Sequence, residues 1–139
     1  MRFHTLIFAL AVVLICGCAT EHRIAGQGDV GQFILQQAIS FGGSPTTTDG
    51  LPAITSRWSY YDGEDGGVVI RMSRGDYSST EAFLSQAFAG QRQFGPKDGD
   101  DGFRIFECRL TSKGGGIQLT RHASDSQVII LPPSQKGPR

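Results

Sequence analysis

Ser78-Ser79-Thr80-Glu81-Ala82-Phe83-Leu84-Ser85-Gln86-Ala87-Phe88-Ala89-Gly90 is the stretch on which the fold turns. Ser78 followed by Glu81 fits a capping box, in which the serine hydroxyl caps the first turn and the glutamate reaches back. Phe83, Leu84, Ala87 and Phe88 repeat at i, i+1, i+4 and i+5, so they form one apolar stripe on a helix. Gly90 is placed to end it. A helix with one apolar face needs a second layer to cover that face, and the flanking sequence supplies it as strands.

Downstream, Gln91–Gly102 reads as a polar loop and Phe103–Thr111 as a strand. Ser112-Lys113-Gly114-Gly115-Gly116 reads as a turn, and Ile117–His122 alternates apolar and polar as a second strand. Val128–Leu131 is a last strand, stopped by Pro132-Pro133. Upstream, Ile54–Tyr61 and Val68–Ser73 flank the turn Asp62–Gly67 and read as a hairpin. Before them, Asp29 caps a helix whose apolar face is Val30, Phe33, Ile34, Ala38, Ile39 and Phe41, with Gly42-Gly43 as its stop. The reading is an α+β domain of order αββαβββ, an antiparallel sheet with two helices on one face. An offset of 49 residues sets Asp29 on Ser78, Leu35–Ile39 on Leu84–Phe88, and Val68 and Ile70 on Ile117 and Leu119. Either an αββ unit is duplicated, or glycine-rich turns match by chance.

The first eighteen residues carry an address. Met1-Arg2-Phe3-His4 is a short basic start, Leu6–Ile15 is an unbroken apolar run, and Ile15-Cys16-Gly17-Cys18 is a small-residue exit. This is the pattern of a secretory signal peptide, and the run is shorter than the ~20 residues a spanning helix needs. Ile15–Cys18 resembles the lipobox of bacterial lipoproteins. The resemblance implies a signal peptide at 1–17, removed by cleavage before Cys18, and a diacylglycerol group on that thiol. Cys16 fits less well, because Ile15 would then sit at the cut. The alternative is an ordinary cleaved secretory signal. Ala19 in place of aspartate implies, by the same resemblance, the outer membrane facing the periplasm in a Gram-negative cell. Residues 18–28 then read as a lipid-anchored tether, 29–132 as the domain, and 133–139 as a disordered tail.

Charge narrows the partners. The chain has 13 Lys and Arg against 13 Asp and Glu, and losing Arg2 leaves a slight negative excess. That balance argues against nucleic acid, which demands a basic surface. The expected partners are membrane lipid, through the covalent acyl anchor, and an envelope protein or glycan.

Chemistry-bearing residues are few. Cys108 alternates with Phe106 and Leu110 on an apolar face, so it reads as a buried, inert thiol. A symmetric turn at 112–116 would set it opposite Thr120, and a one-residue shift would set it opposite Leu119. Neither register makes a good dyad with His122. The acidic turns Asp62–Asp65 and Asp98–Asp101 have carboxylates that could meet Ca²⁺, but Asp-Gly pairs are ordinary turn chemistry. No catalytic residue, metal ligand set or cofactor motif is expected. Trp58 and Tyr60 share one strand face. Turned outward, they would form an aromatic binding surface rimmed by Arg71 and Arg109; turned inward, they are core. The expected function is a membrane-anchored, non-enzymatic binding or assembly module of the envelope. The alternative is an inhibitor or sensor domain that binds a secreted enzyme or peptide. A thiol-dependent or hydrolytic enzyme is the third reading, weakened by the missing constellation.

Overall fold

The structure is a computed structural model and describes residues 22–54 and 56–134. The signal-peptide segment, Cys18 and residues 135–139 lie outside them. Within the described residues, seven strands form one antiparallel sheet: β1 Ile24–Ala25, β2 Trp58–Asp62, β3 Val68–Ser73, β4 Gln93–Asp98, β5 Arg104–Thr111, β6 Gly114–Arg121 and β7 Asp125–Leu131. Their order across the sheet is β1-β2-β3-β7-β6-β5-β4. Among the described residues, two helices, α1 Val30–Ser40 and α2 Tyr77–Ala87, pack on one face. The α+β architecture expected from the sequence is the one observed. Two edge strands extend the expected order. β1 falls in the segment read as tether, and β4 in the segment read as loop.

The strands fix which side chains meet the helices. Tyr60, Ile70, Val128, Leu119 and Phe106 stand side by side across five strands, and Val68, Ile130, Ile117 and Cys108 form the row beside them. Alternate residues of each strand share a face, so these rows make one apolar layer under the helices, and most of it is fully buried.

Helix α1 begins as its sequence dictates. The Asp29 carboxylate accepts from the Gly31 N–H at 2.9 Å, satisfying a donor that the first turn leaves free. Val30, Ile34, Leu35 and Ala38 are buried. The helix stops at Phe41, after which Gly42 takes φ +92° and the Gly43 N–H returns to the Ala38 carbonyl at 2.8 Å. Gly31 is where the helices touch: a Cβ there would lie 2.7 Å from the Phe83 ring.

Helix α2 corrects the capping-box expectation. A 3-10 turn at Arg74–Asp76 leads into the helix, which starts at Tyr77. Ser78 therefore lies inside the first turn rather than before it. The Thr80 hydroxyl donates to the Asp76 carbonyl at 2.7 Å. Glu81 does not reach back. It accepts from Arg104 Nε at 3.1 Å, and Arg104 also pairs with Asp98 at 2.9 Å, so one guanidinium ties α2 to β5 and β4. Tyr77, the first residue of the helix, is 1% exposed, so the helix is packed into the core from its first turn. Gly90, read as the stop, lies beyond the end at Phe88 and donates to the Thr46 hydroxyl at 2.7 Å.

The 49-residue offset is not a structural repeat. It carries Trp58 and Tyr60, on the helix side of β2, onto Glu107 and Arg109, on the opposite side of β5. The topology also forbids superposition. β3 and β6 both flank β7, so they run parallel to each other while their hairpin partners lie on opposite sides. Seen from the helices, the two hairpins turn in opposite senses, and no rotation that keeps the helices on that face superimposes them. A smaller motif does recur. Asp62-Gly63-Glu64-Asp65-Gly66 and Asp98-Gly99-Asp100-Asp101-Gly102 close the β2–β3 and β4–β5 hairpins with the same conformation. Asp65 and Asp101 take φ 59° and 57°, each followed by a glycine of positive φ.

Candidate functional site: a groove on the open face of the sheet

The face away from the helices carries Tyr61, Val69, Ile129, Gln118, Glu107 and Phe94 in one row across β2, β3, β7, β6, β5 and β4. The adjacent row runs from Leu131 through Gly116 to Arg109. Gly116 has no side chain, so a notch opens between the Leu131 and Arg109 side chains. This notch is the floor of a groove of about 1010 Å³. Its walls are the β2–β3 turn at Asp65, the β5–β6 turn at Lys113, and the segment Pro132–Ser134. Phe94 and Leu131 stand at its sides with 39% and 43% of their surface exposed.

The glycine run makes this shape. Read from sequence as a turn, Gly114-Gly115-Gly116 is the start of β6. The turn itself is only Ser112-Lys113, with Thr111 paired to Gly114. Gly115 takes φ +80°, and a Cβ there would lie 3.0 Å from the Pro133 nitrogen. Only glycine lets Pro132-Pro133 lie so close over the sheet. Pro133 and Ser134, assigned to a tail by sequence, are therefore part of the groove wall.

The tight turn also corrects the register. Cys108 lies opposite Ile117 and Phe106 opposite Leu119, an offset that neither sequence register anticipated. The cross-strand neighbours of Cys108 are Ile117 on β6 and Gln93 on β4, and Cys108 is 2% exposed. Burial, with a smaller contribution from the Glu107 charge, pushes its pKa up to about 12. His122 is on the open face, where its Nε2 meets the Thr120 hydroxyl at 2.8 Å and its ring meets Phe103 edge-on. The two side chains share neither a face nor a proton. Cys108 should therefore react slowly with a thiol reagent in the native state and rapidly in denaturant. The raised pKa adds a pH effect. Above the ordinary thiol value of 9.0, the unfolded chain releases a proton that the native chain keeps, so stability falls between about pH 9 and 12. Cys108→Ala should flatten part of that alkaline slope in melts taken from pH 8 to 11. Rapid native labelling, or an unchanged slope, would contradict the buried-thiol geometry.

The four residues expected to share one binding surface are divided between the faces. Trp58 is 7% exposed, on the helix side, with its ring 4.8 Å from Phe33 and 6.0 Å from Tyr60. Its Nε1–H donates to the Gly28 carbonyl at 2.9 Å. Tyr60 packs against the same core. The inward alternative holds, because α1 needs an aromatic floor under Phe33. Arg71 and Arg109 are on the open face, but Arg71 pairs with Asp125 at 3.7 Å, away from the groove. Arg109 lines the groove. Arg92 and Phe94 were missed by sequence because they fall in the supposed loop.

Tyr77 marks a second polar spot. Its ring lies within 6.0 Å of Arg104 and 5.4 Å of Arg121, and its hydroxyl has no hydrogen-bond partner among the described residues. Burial and the nearby Glu81 carboxylate push its pKa upward. Tyr77 belongs to α2 and Arg104 and Arg121 to β5 and β6, so these contacts lie between the helix and the sheet. Among the described residues, no group of three His, Cys, Asp or Glu side chains could hold a metal ion, and no helix is long and apolar enough to cross a membrane. No protein-family model, curated protein or solved structure matches this chain.

Proposed function

We propose that the protein is a lipid-anchored envelope module that binds a partner non-covalently through the open face of its sheet. Cys18 supplies the anchor in this reading, and two or three acyl chains hold a protein stably where one does not. One observation supports the binding role: the walled groove on the open sheet face, apolar at Phe94, Ile129 and Leu131 and polar at its rim. A rigid sheet presenting a concave surface with exposed apolar groups is a binding geometry. The chemistry-bearing thiol, by contrast, is buried on the other side.

The reading has two tests. In cells, Cys18→Ser should abolish incorporation of a labelled fatty acid while Cys16→Ser keeps it; label retained by Cys18→Ser removes the anchor. A photoreactive phenylalanine at position 94 should give a discrete adduct, and the same group at exposed Ile39 on α1 should not. Adducts at both positions, or at neither, remove the groove as the binding face.

A further inference from the structure

Arg92, the residue just before β4, stands directly opposite Arg109 of β5. The Arg109 N–H donates to the Arg92 carbonyl at 2.9 Å, in phase with the pair Gln93–Cys108. Their side chains share the open face with Phe94, and both guanidinium carbons lie over that one ring, 5.0 and 5.9 Å from its centre. Like charges directly opposite on an antiparallel pair repel. Other sheet arginines have acceptors: Arg104 pairs with Glu81 and Asp98, Arg71 pairs with Asp125, and Arg121 donates to the Gly102 carbonyl. No such ion pair forms at Arg92 or Arg109 among the described residues. Glu107, the nearest acidic residue along β5, instead accepts from Gln118 Nε2 at 3.3 Å.

Resting on the groove as the binding face, we infer that this arginine pair anchors a carboxylate of an acidic, extended peptide segment laid along the groove. A guanidinium stacked on an aromatic ring keeps its N–H edge for an oxyanion, and two of them match the fork geometry of a carboxylate. Phe94 holds both in place before the ligand arrives, which reduces the ordering cost of binding. Beyond Arg109 the floor drops at Gly116 toward Leu131 and Ile129, so an apolar side chain next to the acidic one has a place to go. Lys113 at the far wall adds a third positive charge. The partner is a peptide rather than an anionic membrane surface because the apolar groups line a walled trough, which an extended segment can enter and a planar bilayer surface cannot.

The test uses the full-length chain in vesicles of neutral lipid and three fluorescent hexapeptides, alternating valine with glutamate, glutamine or lysine. By fluorescence anisotropy the glutamate peptide should bind about tenfold or more tightly than the glutamine peptide, the factor one charge-assisted hydrogen bond supplies. The preference should fall as salt rises. Arg109→Glu and Arg92→Glu should each abolish it, and the doubly reversed protein should prefer the lysine peptide, which also shows that the variant is folded. Equal binding of glutamate and glutamine peptides, or variants that bind like the wild type, overturns the inference. Recruitment of vesicles containing phosphatidylglycerol, lost in Arg109→Glu, with no peptide preference, overturns it in favour of a lipid contact. A position-94 adduct in cells together with indifference to peptide charge sinks this inference alone; absence of the adduct sinks the binding face itself.

Discussion

Phe88→Ala is expected to destabilise the fold by about 3–5 kcal/mol. Phe88 is fully buried at the C-terminal end of α2, and its N–H still donates to the Leu84 carbonyl at 3.0 Å. Removing the ring takes apolar area out of the layer between α2 and the sheet and leaves a cavity that the neighbouring rigid strands cannot fill. A domain of this size holds only about 5–15 kcal/mol in total, so the variant should be close to unfolded at 37 °C. Ser78→Ala is the contrast. Its hydroxyl caps nothing, because the helix starts at Tyr77, and the substitution should shift stability by less than about 0.5 kcal/mol. Urea melts followed by circular dichroism give both midpoints. If the two variants shift equally and slightly, α2 is not docked on the sheet.

Trp58→Ala is expected to cost a similar amount, about 3–5 kcal/mol. The indole lies beneath α1 and against Phe33 and Tyr60, and it holds the start of the described chain. The Gly26 N–H donates to the Trp58 carbonyl at 2.7 Å, and the Gly26 backbone passes so close over the ring that a Cβ would collide with it. Loss of the ring therefore releases β1 as well as α1. Trp58→Phe keeps part of the burial but loses the hydrogen bond to Gly28, and should cost less. As the only tryptophan, Trp58 also reports on the wild type: its emission should be blue-shifted in the native state and move to the red in urea. A Trp58→Ala protein that melts at the wild-type midpoint would place the indole outside the core.

Helices and inner strands were legible because their burial is periodic. Val30, Ile34 and Ala38 repeat with the helix turn, and Phe106, Cys108 and Leu110 repeat with the strand pleat. The edges were not legible. β4 contains Gly95 and Pro96 and is exposed along most of its length, so it has no apolar inner face to impose alternation; backbone pairing to β5, with the polar ties of Gln93 and Asp98, holds it in the sheet. β1 has only two residues. The triple glycine misled for a related reason. Glycine is the usual signal of a turn, yet here the turn is Ser112-Lys113 and the glycines serve as strand residues that keep a face bare. The candidate site inherits both errors: of its arginine pair, Arg109 was visible on a clear strand, while Arg92 and Phe94 were hidden in the unreadable edge. The faces of Trp58 and Arg71 alternate correctly in the sequence, but alternation alone does not say which side the helices cover.

The position of β7 has a consequence for how the chain is made. The last strand in sequence is the middle strand in space, bonded to β3 on one side and β6 on the other. A ribosome delivers the N-terminal end first, so until residues 125–131 emerge β3 and β6 each keep an open inner edge, and no backbone ladder joins the two halves of the sheet. The closing contacts span most of the chain, which makes assembly slow relative to a helical bundle. Until β7 is seated, β3 and β6 each present an unpaired edge, so the sheet becomes one continuous layer only when residues 125–131 take their place between them.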